Sequence, residues 1–225
     1  MSNEQNRVRI VPVWLSKKGN DEIQESEFLR FKGEINYCAT IGDCGMACES
    51  LMEMLTNLDE MVVGFDMEWP VNSKTGSGKT SLIQICHDEN VCHLFHVSQM
   101  RNIPVALAHF LNHPKVRLAG LNIKSDLWKL IRDFPIKFQS MDEMKIIDLG
   151  VLANKVLNCS QRWSLERLVR YVLHKNLDKN DAVRKSNWQL ELLSEEQKHY
   201  AAADALASFV LFHELTSKKK VKCEI

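Results

Sequence analysis

The chain has 225 residues, 45% of them hydrophobic, and 29 Lys and Arg balance 29 Asp and Glu. That length can bury the core of one domain, no apolar run reaches the 18 residues of a membrane helix, and residues 8–15, broken by Arg9 and Pro12, are too short for a secretory leader. Zero net charge speaks against a uniformly basic binder, and seven irregularly spaced cysteines argue against a disulfide framework and for a reducing, intracellular setting.

Residues 1–30 mix polar residues with both charges and little apolar periodicity, so they are expected to form a mobile arm. Residues 33–39 read as a first strand. Residues 44–58 read as a helix with Met46, Leu51, Met54, Leu55 and Leu58 as its apolar stripe. Strands are expected at 61–69, 80–87 and 91–97, joined by 70–79 and 88–90. A helix (103–112), a strand (116–122) and a helix (124–133) follow. Residues 145–149 read as a strand, and 150–157, 164–174 and 195–216 as helices. Antiparallel strands first and alternating helix and strand afterwards predict an α/β domain, a mixed sheet flanked by helices on both faces.

Within the third of these segments, Met61 to Phe65 is apolar and β-branched, as a buried central strand requires. Alternate strand residues share a face, so Asp66 and Glu68 project together while Phe65, Met67 and Trp69 take the other side. Two carboxylates side by side on an apolar strand repel each other and lose hydration. A hard divalent cation such as Mg²⁺ relieves both costs, and a solvated strand end with two unrelated acids is the bland alternative. Near the other end, Ser194 and Gln197 fit a capping box that opens the last helix. Tyr200 and Asp204 then lie four residues apart on one face, among alanines thin enough for the helix to approach a sheet. Asp126 falls at the start of a helix after a strand, in Asn122-Ile123-Lys124-Ser125-Asp126, where a first-turn acid is also expected on dipole grounds alone.

Taken together, the series D-x-E, N-x-x-x-D and Y-x-x-x-D resembles the DEDD exonuclease superfamily in its tyrosine-bearing branch. Gly64 to Pro70, Leu82-Ile83-Gln84-Ile85-Cys86, Trp128-Lys129-Leu130 with Arg132-Asp133-Phe134, Trp163-Ser164-Leu165 and Ser186-Asn187-Trp188 narrow the likeness. They resemble the Werner-type exonuclease domain from about residue 31 to 215. The resemblance implies a ribonuclease H-like fold, an exonuclease domain at 31–217 and a 3′→5′ exonuclease that releases 5′-mononucleotides from DNA with a free 3′ end. It also implies two divalent ions, Mg²⁺ or Mn²⁺: Asp66, Glu68 and Asp204 around one, Asp66 bridging to a second, and Asp126 reaching that second ion directly or through water. Tyr200 would orient the attacking water. On this length a stand-alone version is expected, without the helicase of vertebrate Werner proteins.

Charge distribution agrees with a nucleic-acid substrate. From 41 to 70 there are seven acids and no Lys or Arg, whereas 155–190 carries eight Lys or Arg against three acids. Arg162, Arg184 and Lys185 in that segment are candidate phosphate contacts, and Trp128 is the best placed tryptophan for a base. Trp163 and Trp188 read as packing. The basic tail, 218–225, resembles a nuclear import signal, so a nuclear location is expected and a membrane partner is not. Gly76-Ser77-Gly78-Lys79-Thr80 fails as a phosphate loop, because Ser73 stands where a glycine is needed and a strand follows where a helix must. No C-x-x-C pair supports zinc among Cys44, Cys48, Cys86, Cys92, His93 and His96. The rival expectations are a ribonuclease D-type RNA exonuclease and a non-catalytic nucleic-acid-binding module.

Overall fold

The computed structural model describes residues 28–72, 74, 76–136 and 145–223. Residues 1–27 of the expected arm lie outside this set, as do the side chains of the basic tail. Phe28–Leu29, assigned to the arm from sequence, form a short strand β1 instead. It is followed by β2 (Glu34–Cys38), α1 (Ile41–Thr56) and β3 (Met61–Glu68). A small hairpin, β4 (Val71–Asn72) and β5 (Gly76–Ser77), precedes β6 (Leu82–Cys86) and β7 (Val91–Phe95). Next come α2 (Val105–Asn112), β8 (Val116–Gly120), α3 (Ile123–Asp133), β9 (Lys145–Asp148) and α4 (Leu149–Val156). The remainder is α5 (Leu165–Leu168), a π-helical turn at Val169–Leu173, β10 (Asn176–Leu177), α6 (Asp181–Arg184) and α7 (Glu195–Cys223).

The main sheet runs β2-β7-β6-β3-β8-β9. β3, β6 and β7 are antiparallel neighbours, while β3, β8 and β9 run parallel, so the sheet is mixed. The first strand departs from the expected antiparallel start, since β2 pairs with β7 in parallel. Helices α1, α2 and α3 bury Leu51, Leu55, Leu107, Phe110 and Leu127 against one face. The opposite face is covered by α4, α5 and α7, with Leu82, Leu94, Ala119, Leu168 and Leu211 in a second core.

Local chemistry sets several element ends. α1 begins three residues before the expected start, because Thr40 and Asp43 form a reciprocal capping box. α7 opens on the foreseen box, with the Ser194 N–H donating to Gln197 Oε1 at 3.0 Å and the Gln197 N–H to Ser194 Oγ at 3.2 Å. It then continues past Thr216 to Cys223, since the lysines there are good helix formers and nothing stops the run. The helix expected over 164–174 is instead α5 and the π-helical turn, closed by His174 at φ 53°. β1 and β10 pair with each other in parallel and, at two residues each, are too short to show a periodicity.

Candidate active site

Strand β3 lies between β6 and β8, and its C-terminal end points the same way as those of β8 and β9. Ligands of open α/β sheets bind beyond such ends. Phe65 and Met67 enter the α1 side of the core, and Trp69 packs against them. Asp66 and Glu68 therefore face α7, as alternation requires. The helix can reach them because Ala201, Ala202 and Ala205 are fully buried and Gly64 carries no side chain. A Cβ on Gly64 would collide with the Ala205 carbonyl and the Phe209 backbone.

This close approach brings Asp204 to the strand. Carboxylate oxygens of Asp66, Glu68 and Asp204 all lie within 4.8 Å of one another. Glu68 and Asp204 are only 9% and 7% exposed. Burial pushes the Asp66 carboxyl up to about 6, the Met67 N–H opposing. Burial, then Asp66 and Asp204, raise Glu68 well above the usual carboxylate range, against a weaker pull from Arg184. Asp204 rises for the same reasons, burial first and Asp66 second, while a hydrogen bond from Tyr200 and the charge of Lys179 oppose.

Asp126 stands apart from this trio. It sits in the first turn of α3, entered through Asn122 at φ 55°, a left-handed conformation that Asn tolerates. Burial, Asp66 and Asp148 push its carboxyl up to about 8. Asp66, Glu68, Asp204 and Asp126 offer an oxygen-only donor set, which fits a hard divalent ion and not a thiolate metal. Tyr200 is one turn before Asp204; burial and then the Asp204, Glu68 and Asp66 charges raise its phenol, so it remains an O–H donor. A pocket of about 180 Å³ joins Asp66, Tyr200, Asp204 and Ser208 to Lys179, Leu121, Leu165 and Leu177.

A family model described as 3′-5′ exonuclease matches residues 40–220. The chain belongs to this 3′-5′ exonuclease family. A protein of Drosophila willistoni named 3′-5′ exonuclease is 40% identical over 200 residues, 88% of this chain and 56% of the relative. One of Drosophila grimshawi with the same name is 41% identical over 198 residues, 87% of this chain and 60% of the relative. The chain thus spans less than two thirds of their length. Among solved structures, Escherichia coli RNase D superposes with a TM-score of 0.66 at 19% identity, covering 84% of this chain and 46% of that one. The catalytic core of RRP6 from Trypanosoma brucei gives 0.61 at 17%, covering 86% and 49%. Both share the ribonuclease H-like fold. Among the described residues no helix is long and apolar enough to cross a membrane.

On this exonuclease scaffold the other sequence candidates separate. Trp128 is 59% exposed, two residues past Asp126 on α3. Trp188 is fully buried; its indole N–H donates to the Arg184 carbonyl at 3.1 Å and its ring lies 6.3 Å from that of Tyr200. Trp163 is half-buried, donates to Asn154 Oδ1 at 2.8 Å and carries Arg167 over its ring. Arg162 is exposed, and its carbonyl accepts from Arg167. Arg184 and Lys185 are exposed and share Asp181, at 3.0 and 2.6 Å. Arg184 nonetheless lies near enough to act on Glu68 and Tyr200.

Sequence reasoning missed two contributors. Lys179 lines the acid pocket and also pairs with Glu166 at 2.9 Å. Asp148 ends β9 beside the ends of β3 and β8, caps α4 through the Val151 N–H, and bears on Asp126. An acid closing the strand at 145–149 was the available signal for Asp148. Lys179 carried none beyond its place in the basic segment.

Proposed function

We propose that this 3′-5′ exonuclease degrades DNA from a free 3′ end, in the manner of the Werner-type branch and in the nucleus, releasing 5′-mononucleotides. The observation that carries the catalytic reading is the trio Asp66, Glu68 and Asp204, mutually within 4.8 Å, of which Asp66 and Asp204 line a pocket with Tyr200 and Lys179. These three carboxylates would hold one Mg²⁺ or Mn²⁺, and Asp66 with Asp126 a second. Divalent ions bound there supply an acidified water and neutralise charge on the reacting phosphoryl group.

The protein's own part is positional. Asp204 accepts from the Tyr200 hydroxyl, which fixes that phenol at the pocket and lets it orient the attacking water without giving up its proton. Lys179 and Arg184 supply positive charge on the same side, suited to a phosphodiester backbone, and Arg162 and Lys185 extend it over the surface. Trp128, exposed beside Asp126, offers a flat face for the terminal base. The Werner-type motifs support DNA over RNA.

Digestion of a 3′-recessed DNA duplex with Mg²⁺ or Mn²⁺, alongside RNA of the same sequence, tests this. Mononucleotides should accumulate from DNA, cease with chelator and fail to appear when both 3′ ends are blocked. Preferential digestion of RNA would overturn the DNA reading and favour a ribonuclease D-type activity. Binding without cleavage of either would overturn the catalytic one.

A further inference from the structure

Gln84 is a fully buried side chain at the centre of β6, and neither its amide N–H groups nor its carbonyl oxygen has a hydrogen-bond partner among the described residues. Its position is specific. The antiparallel register of β3 and β6 sets Gln84 directly opposite Asp66. Directly opposed residues of an antiparallel pair share a face, with Cβ atoms about 4.5–5.5 Å apart. Gln84 therefore lies on the face of the sheet that carries the carboxylates, beneath α7. Its neighbours along the same row and strand, Leu94 and Leu82, are apolar. Leu82 is also the partner opposite Glu68, so Gln84 is the polar side chain that β6 contributes beside the acids.

An amide buried without partners is destabilising, and the cost is not offset by packing, since a methionine of similar length would fill the space without it. Asp66, one of the carboxylates that would ligate the ion, stands directly across the strand pair from this unpartnered amide. Carboxylates that ligate ions are themselves ordinarily held by a hydrogen-bond donor, which fixes the ligating orientation.

We propose that Gln84 is a positioning residue for the ion site: with a divalent cation bound, its carboxamide donates to the Asp66 carboxylate and holds it in one ligating orientation. This rests on the metal-dependent reading above. Gln84 touches neither substrate nor reacting atoms. It acts through Asp66, and the thin alanine face of α7 that admits Asp204 also gives the amide its place.

Gln84→Met in the full chain tests it, with Mn²⁺ affinity read by calorimetry alongside kinetics on the 3′-recessed duplex. Wild type must first bind Mn²⁺ and cleave; its failure to do so overturns the metal reading and this proposal with it. Given that, the variant should fold and melt at or above the wild-type temperature without ion. Its Mn²⁺ affinity should fall about 10–100-fold, and kcat should fall with KM for DNA little changed. Wild-type Mn²⁺ affinity and kcat in a folded variant would overturn the proposal. Should Gln84→Met fail to fold, the assigned side-chain amide signals of Gln84 in ¹⁵N-labelled wild-type protein decide. They should shift on Mg²⁺ addition with the same midpoint as metal binding, and unmoved signals would overturn the proposal.

Discussion

Two groups of buried charge meet along α3 and are built on opposite rules. At its first turn Asp126 shares the end of the sheet with Asp66, Glu68 and Asp204; burial raises every one of these carboxyls, and neighbouring carboxylates raise Glu68, Asp126 and Asp204 further. One to two turns later Lys129 and Asp133, with side chains 7% and 9% exposed, pair at 2.7 Å. The Lys129 ammonium also donates to the Gly78 carbonyl at 2.7 Å and sits 4.9 Å over the Trp69 ring. Asp133 accepts from both the N–H and the hydroxyl of Thr80, at 2.7 and 2.8 Å. Burial alone would raise Asp133, yet Lys129 and Thr80 hold it below the usual carboxylate range. The second cluster is complete within the protein and ties the end of the catalytic strand and its hairpin to the helix bearing Asp126. The first, on the proposed function, is completed by a bound cation.

The sharpest way to break this contrast is to remove charge from the first cluster. Asp66→Asn or Asp204→Asn should lower turnover by on the order of a thousandfold, as expected when a group stabilising transition-state charge is lost. The same substitutions should raise the melting temperature of the metal-free protein, because they relieve repulsion. Near-normal turnover in either variant, or a metal-free protein that unfolds sooner, would contradict the assignment.

Removing one partner of the second cluster should do the reverse. Lys129→Met leaves Asp133 buried beside Thr80 without its cation, and loss of one partner of a buried pair costs about 3–5 kcal/mol. Urea unfolding should show this loss. Lys129→Met with Asp133→Leu should recover part of it, since no orphaned charge remains. A single variant as stable as wild type would mean that the pair is not what secures the hairpin to α3.

The two clusters also titrate in opposite senses. Asp66 and Asp126 have folded-state values raised to about 6 and about 8, so the stability they contribute is full below the unfolded carboxylate range and is lost as pH rises through those values. Asp133 is lowered, so its contribution is present above that range and lost only in acid. Metal-free protein should therefore melt several degrees lower at pH 8 than at pH 5.5, and saturating Mg²⁺ should flatten the slope. A metal-free melting temperature that climbs over this interval would contradict the sign.

The smallest effect concerns exposed charge. Arg184 and Lys185 pair with Asp181 on the surface, where solvent screening leaves such pairs little net stability. Replacing Arg162, Arg184 and Lys185 with alanine should leave stability nearly unchanged. The salt slope of duplex binding should fall by about 0.9 for each phosphate that is no longer neutralised, and an unchanged slope would return these residues to solvated surface charge.

Much of this was legible from residues. Strand alternation alone put Asp66 and Glu68 on one face, and helical spacing put Tyr200 with Asp204, because both periodicities are fixed by the backbone. The alanines of α7 signalled close approach, and Gly64 completes that signal. The mixed sheet followed from the order of the elements, antiparallel strands first and alternating helix and strand afterwards. The parallel pairing of β2 with β7 did not, because strand partners are set by tertiary packing and not by a strand's own pattern. The β4–β5 hairpin and the β1–β10 pair were invisible for their shortness. Lys129 and Asp133 are four apart on one helix, a spacing common on exposed faces, and only burial under the hairpin makes the pair a clamp. Gln84 is the one polar residue of an otherwise apolar strand segment, and only the strand register sets it opposite Asp66.

The central claim is that the carboxylate cluster is a divalent-cation site, and Mn²⁺ titration of the wild-type chain, followed by melting temperature, tests it most directly. At about 100 times the dissociation constant an ion that binds only the folded state stabilises by about 2.7 kcal/mol. The melting temperature should rise with Mn²⁺ concentration, and in Asp66→Asn this response should be lost. A wild-type melting temperature indifferent to Mn²⁺ and Mg²⁺, or an undiminished rise in Asp66→Asn, would contradict the account.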